Sequence, residues 1–114
     1  MIWNKTQNRK IVNNSRQTSS VLLKAKGLMF SRPLRDSGLV FCFSGEALRP
    51  IHMLFVFFPI DVLFLDRNKR VVEIKHNLRP FLMCFPRKKS QYIIELPKGS
   101  ADGCCIGDMI RFNS

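Results

Sequence analysis

The apolar and polar positions of this chain follow two different rhythms. Val21, Leu22, Ala25, Leu28 and Met29 fall at i, i+1, i+4, i+7 and i+8, the spacing of one face of a helix. Thr18, Ser19 and Ser20 precede them as N-caps, Lys24 and Lys26 occupy the opposite face, and Gly27 ends or bends the helix. Elsewhere the period is that of strands. Ile2 to Val12 suits an edge strand or hairpin, and Arg32-Pro33 opens a loop because the residue before proline resists the helical region. Asp36-Ser37-Gly38 turns the chain into a short strand, Leu39 to Phe43, and Ser44-Gly45-Glu46 turns it again.

His52 to Phe58 reads as a further strand, with Pro59 between strands or at a bulge because it cannot donate to a ladder. Ile60 to Asp66 and Arg70 to Lys75 form a hairpin about Arg67-Asn68-Lys69, its turn supported by the Asp66 side chain. The first arm is apolar on both faces, as a central strand is. In the second, Val72 and Ile74 alternate with Glu73 and Lys75, leaving one wet face. Asn77 to Lys89 is irregular, yet Phe81, Leu82, Met83 and Phe85 make it too apolar for an open loop, so it is expected to pack over something. Gln91 to Leu96 is a strand, Lys98 to Cys105 has room for one helical turn, and Gly107-Asp108 leads into a last strand, Met109 to Phe112. The expected fold is mainly β (α+β): one domain over residues 1–114, a compact antiparallel curled or barrel-like sheet of six to seven short strands with one amphipathic helix.

Composition narrows the class without choosing an activity. At 114 residues, 46% hydrophobic and 24% charged, the chain is globular and excludes a collagen-like rod, a coiled coil and a disordered tail. Its longest apolar run, Ile51 to Leu65, holds His52, Pro59 and Asp61 and falls short of the roughly 20 apolar residues of a spanning helix, so no membrane span is expected. Met1 to Lys10 has no apolar stretch of signal-peptide length, so the expected compartment is the cytoplasm, with reduced thiols. Cys42, Cys84, Cys104 and Cys105 match no zinc spacing, and Cys104-Cys105 reads as a tight turn rather than a redox pair. Neither phosphate-binding glycine motif occurs. No metal and no cofactor are expected: a metal would need scattered ligands such as His52, Asp61 and His76, while Met29 and Met53 read as core filler.

Several segments together resemble the domain of unknown function 192 family. Lys26-Gly27-Leu28-Met29-Phe30-Ser31-Arg32 is similar to its R-G-L-M-F-R motif, and Gly38 to Phe43 to the strand that follows. His52 to Asp66 resembles the longest family signature in its archaeal form, with His52-Met53-Leu54-Phe55 where many bacterial members carry W-M-K-N. Glu95-Leu96-Pro97-Lys98-Gly99 and Ile106 to Ile110 resemble the closing segments. The resemblance implies a compact β-rich fold and no established reaction.

The candidate chemistry centres on Asp61, which sits in the most apolar stretch of the chain. A buried carboxylate needs a cation or several N–H donors. His52 and Arg49 are the candidate partners, and together with Asp61 they form the expected ligand-binding side, covered by the loop from Asn77 to Lys89. The competing reading has Asp61 accepting backbone N–H bonds where Pro59 disrupts the ladder. The leading functional expectation is a non-enzymatic module binding a small ligand or protein partner at that side. A second expectation uses the net charge of +11: nucleic acid or another anionic surface bound through Arg67, Lys69, Arg70, Arg87, Lys88 and Lys89. A third is a hydrolase-like enzyme using His52 and Asp61 as an acid–base pair.

Overall fold

The structure, a computed structural model, describes residues 1–19, 28 and 32–112. In chain order its strands are β1 (Ile2–Asn4), β2 (Arg9–Val12), β3 (Asn14–Thr18), β4 (Ser37–Ala47), β5 (Ile51–His52), β6 (Ile60–Leu65), β7 (Val71–Leu78), β8 (Met83–Cys84), β9 (Ser90–Pro97) and β10 (Ile110–Phe112). They form a five-stranded sheet in the order β3-β4-β9-β6-β7, a three-stranded sheet β10-β1-β2, and a two-stranded ribbon β5-β8.

Burial on both faces explains why β6 is apolar throughout. Ile60, Val62 and Phe64 join Leu39, Phe41 and Ile93 on one face of the large sheet, where Ile51, Met53, Val56, Phe58 and Cys84 from the ribbon and its loops cover them. Leu63 and Leu65 join Val40, Ile94 and Leu96 on the other face, covered by Ile2, Val12, Ile110 and Phe112 of the small sheet and by Ala101. The molecule is therefore three layers with two cores, and β6, flanked by β9 and β7, is an inner strand of the central layer.

Several expectations hold. β1 and β2 form the N-terminal hairpin, Pro59 directly precedes β6, and β6–β7 is the expected hairpin. Asp66 Oδ1 supports that hairpin by accepting from the N–H groups of Asn68 (2.8 Å) and Arg70 (3.0 Å). Gly107, at φ +93°, turns the chain toward β10.

The barrel-like sheet with a helix is corrected. Among the described residues every regular element is a strand, and the large sheet is open, with β3 and β7 as unjoined edges. The described residues form ten strands rather than six or seven, and the β3–β4 pair is parallel. The expected helix, Val21 to Met29, lies outside the described residues apart from Leu28, which packs into the ribbon-side core.

Three local expectations also change. The expected turn Ser44-Gly45-Glu46 lies within β4, which absorbs the irregularity as a register shift between Cys42 and Ala47. His52 to Phe58 is not a strand beyond His52: the Met53 carbonyl accepts from Val56 N–H (3.1 Å) and Phe81 N–H (2.8 Å), closing a turn that no glycine announces. Lys98 to Cys105 forms successive turns instead of a helical one. Among the described residues no helix is long and apolar enough to cross a membrane.

Candidate functional site

Asp61 is fully buried and lies opposite Leu96 of β9, so it shares the face of Leu63 and Leu65. The β6–β7 register slips at this point. Ile60 opposes Leu78 and Val62 opposes Lys75, so His76 and Asn77 together face Asp61 as a bulge, with Asn77 at φ +52°. Asn77 N–H donates to Asp61 Oδ1 (2.9 Å), while Gly99 N–H and Ala101 N–H donate to Oδ2 (3.0 Å each). Gly99 holds φ +88°, the left-handed region that lets the loop after β9 aim its N–H groups at one oxygen. Three donors from two segments thus satisfy the carboxylate, and Asp61 clasps the bulge and the loop to the central strand. The multiple-donor reading is the one the geometry follows.

The histidine nearest Asp61 is not the expected one. His76 Nδ1, half-exposed, lies 3.9 Å from Asp61 Oδ2 and 3.5 Å from Oδ1 of the exposed Asp102. One ligand atom from each of Asp61, His76 and Asp102 falls within 4.8 Å of the others. Ligand atoms about 2.1 Å from a shared metal are at most about 4.2 Å apart, a separation that His76 Nδ1 and Asp102 Oδ1 meet, whereas the Asp61 oxygen at 3.9 Å from His76 is already taken by two N–H donors. Asp61 Oδ2 carries two N–H bonds, whereas Oδ1 carries one and keeps a lone pair. Sequence reasoning missed Asp102 and cast His76 only as a scattered candidate, because the bulge and the loop that unite them are tertiary features.

Arg49 and His52 stand elsewhere. Arg49 Nη2 donates to the Gly45 carbonyl (2.7 Å) and Nε to the Ser90 carbonyl (3.3 Å), and its guanidinium lies 3.7 Å from the Phe43 ring centroid. It straps the irregular part of β4 to the start of β9, and burial holds its pKa below the ordinary arginine value. His52 is exposed on β5, its Nδ1 accepting from Leu54 N–H (3.3 Å). Its ribbon covers the face of the sheet opposite to Asp61. The three residues expected together therefore make no shared contact, and His52 and Asp61 form no acid–base pair.

The ribbon carries the most unusual surface. The Asn77–Lys89 segment does pack, through Cys84 opposite Ile51, but Phe81, Leu82, Met83 and Phe85 remain exposed. Leu54, Phe55 and Phe57 are exposed beside them, Phe57 by 60% and Phe85 by 67%. Phe81 meets Phe57 edge-on (5.4 Å between centroids) and Phe55 at 6.3 Å. Phe55 and Phe81 both hold positive φ, +56° and +64°, a conformation bulky side chains seldom adopt. Contiguous exposed apolar side chains of this extent mark interaction surfaces rather than ordinary solvent-facing loops.

Of the six basic residues expected to bind an anion, Arg67, Lys69 and Arg70 are engaged within the chain. Arg67 pairs with Glu46 (Nη2 to Oε1, 3.3 Å), and Lys89 adds to the field that lowers the Glu46 pKa behind the Arg67 hydrogen bonds. Lys69 Nζ sits 4.7 Å from the Phe112 ring centroid, and Arg70 Nη1 donates to the Gly107 carbonyl (3.0 Å). Arg87 and Lys88 donate their backbone N–H groups to Glu73 Oε1, leaving their side chains exposed. Cys84, Cys104 and Cys105 are free thiols, and burial pushes the Cys84 thiol pKa up. Cys105 opens the expected tight turn, its N–H donating to Asp108 Oδ2 (2.9 Å).

A second buried acid escaped the sequence reading. Glu95 lies between Leu39 and Val62 on the ribbon-side face, its Oε1 has no hydrogen-bond partner, and burial raises its pKa to about 8. The signal was present: Ile93, Ile94 and Leu96 bury both faces of β9, which leaves Glu95 no wet side.

A family model, DUF192, described as an uncharacterized ACR, matches residues 4–112. The chain is similar to a UPF0127 protein of Pyrococcus horikoshii, 34% identical over 114 residues and covering 98% of each chain. A UPF0127 protein of Pyrococcus furiosus is 30% identical over 112 residues, covering 96% of each. Among solved structures, a protein of unknown function from Novosphingobium aromaticivorans superimposes with a TM-score of 0.80 at 24% identity, covering 86% of this chain and 74% of that one. A candidate transcription regulator from Sinorhizobium meliloti superimposes equally well, at 0.80 and 24%, over 85% and 79% of the two chains; both likenesses concern the fold alone.

Proposed function

The chain belongs to the DUF192 family, whose function is uncharacterised, and from that premise we propose that it is a non-enzymatic binding module whose working face is the β5–β8 ribbon. The observation that carries this reading is the run of large apolar side chains held out from the ribbon and its two loops. Folding would bury them if only stability mattered, since each full burial is worth about 1.5–3 kcal/mol. His52, from the expected site, stands on this face, and Arg49 anchors the sheet behind it. The free thiols of Cys84, Cys104 and Cys105 favour a reducing compartment, the cytoplasm. A nucleic-acid face on the basic loops is the weaker reading, because Arg67, Lys69 and Arg70 are committed to partners within the chain.

The test is titration with the apolar dye bis-ANS. The folded protein binds it, and Phe57→Ser/Phe85→Ser, at two exposed positions, weakens that binding about tenfold with an unchanged melting temperature. Equal dye binding by the two proteins overturns the reading.

One specific observation favours a second reading, a divalent cation at Asp61, His76 and Asp102: their ligand atoms converge from β6, β7 and the loop after β9. Calorimetric titration with Zn²⁺ and Mn²⁺ should give one site per chain that His76→Ala removes. Stoichiometric binding that survives His76→Ala, or no binding, ends that reading.

A further inference from the structure

We propose that the β5–β8 ribbon is an interfacial anchor for an anionic lipid bilayer. This rests on the ribbon being the docking face and adds what it docks to. The first support is the chemistry of the two segments that build it, residues 48–59 and 79–89. They contain no Asp, Glu, Asn, Gln, Ser, Thr or Tyr, and their polar side chains are His52, Cys84 and the cations Arg49, Arg79, Arg87, Lys88 and Lys89. A specific protein interface needs roughly one hydrogen bond per 100–200 Å² of buried surface, made by polar groups of both signs. An anionic bilayer needs only apolar side chains for the acyl boundary and cations for the headgroups, which is what these segments supply.

The arrangement is equally suited. Arg79 precedes exposed Phe81 by two residues, and Arg87 follows exposed Phe85 by two, so the cations flank the apolar tip. Of the carboxylates beside this rim, Glu73 is already taken by Arg87 N–H, Lys88 N–H and Lys75 Nζ (3.2 Å), and Glu46, near Lys89, by Arg67 N–H and Nη2. The backbone of the tip is internally bonded: Met53 N–H donates to the Leu82 carbonyl (2.7 Å), Phe81 N–H to the Met53 carbonyl (2.8 Å), and Val56 N–H to the same oxygen. These three bonded N–H groups lower the cost of bringing irregular chain to an apolar boundary.

Co-sedimentation with sucrose-loaded vesicles tests this on the whole chain. Phosphatidylcholine:phosphatidylglycerol vesicles at 7:3 should carry the protein down in 50 mM salt. Partition should fall about tenfold or more in 500 mM salt, on pure phosphatidylcholine, and for Phe57→Ser/Phe85→Ser. No sedimentation with anionic vesicles while bis-ANS still binds the wild type overturns the lipid assignment and leaves the docking face standing. Undiminished binding by the folded double variant shows adsorption by charge alone and overturns it too. Light scattering that finds a dimer lost in the double variant, without vesicle binding, makes a second copy the occupant and overturns it as well.

Discussion

Replacing Glu95 by glutamine should stabilise this protein at neutral pH and leave it unchanged in acid. Glu95 is buried between Leu39 and Val62 with Oε1 unpartnered, and burial raises its pKa from 4.5 to about 8. In the unfolded chain the carboxyl releases its proton above its ordinary pKa, while in the folded chain it holds it until pH 8 is approached. Between those values the folded state binds more protons, so stability is full below about pH 4.5 and falls as pH rises toward the folded pKa. At pH 7 the separation from 4.5 corresponds to about 3 kcal/mol. Glutamine has nearly the same shape and no charge to recover on unfolding, so Glu95→Gln should recover most of that, raising Tm by roughly 10 °C at pH 7. The assay is thermal and urea unfolding followed by circular dichroism from pH 4 to 9 for both proteins. Parallel stability curves across that range, or a Glu95→Gln protein less stable at pH 7, would refute the reasoning.

Two further outcomes follow from the packing. Asp61→Asn replaces one of two acceptor oxygens by a donor, so either the Asn77 N–H or the Gly99 and Ala101 N–H groups lose their partner; urea unfolding should show a loss of about 2–4 kcal/mol, and an unchanged midpoint would show that the clasp is not needed. Gly38→Ala places a Cβ 2.5 Å from Ile2 Cδ1 and 3.0 Å from Leu96 Cδ2, between the small sheet and the large one, and should cost about 1–3 kcal/mol in the same assay; no loss would mean that the two sheets separate easily there.

The parts of the fold legible in the sequence are those written in local terms. Ile60 to Leu65 announces a doubly buried strand by its unbroken apolarity, Asp66 to Arg70 a hairpin turn, and Pro59 a strand start. The turn after Met53 was not legible. Its residues are as apolar as a strand, and Phe55 and Phe81 hold positive φ without a glycine to mark it. The parallel β3–β4 pair was equally hidden, since parallel pairing depends on a long crossover rather than on residue type. Asp61 was legible as an acid needing either a cation or backbone donors, but not that Asn77, Gly99 and Ala101 supply them, because a bulge and a distant loop bring those N–H groups in.

By itself, the sequence determined a β-rich chain of the DUF192 type, the apolar central strand, and a buried acid within it that had to be satisfied. Those follow from period, propensity and the cost of desolvating charge, which act within a few residues. Tertiary structure decided the rest. It put His52 and Asp61 on opposite faces of one sheet, brought His76 and Asp102 to Asp61 through a bulge and a loop, and left Phe55, Phe57, Phe81 and Phe85 of the ribbon segments outside the core. The physical reason is that an apolar run specifies burial somewhere without specifying against what. Which residues are covered depends on how layers from distant parts of the chain stack, and the described layers leave the outer face of the ribbon exposed.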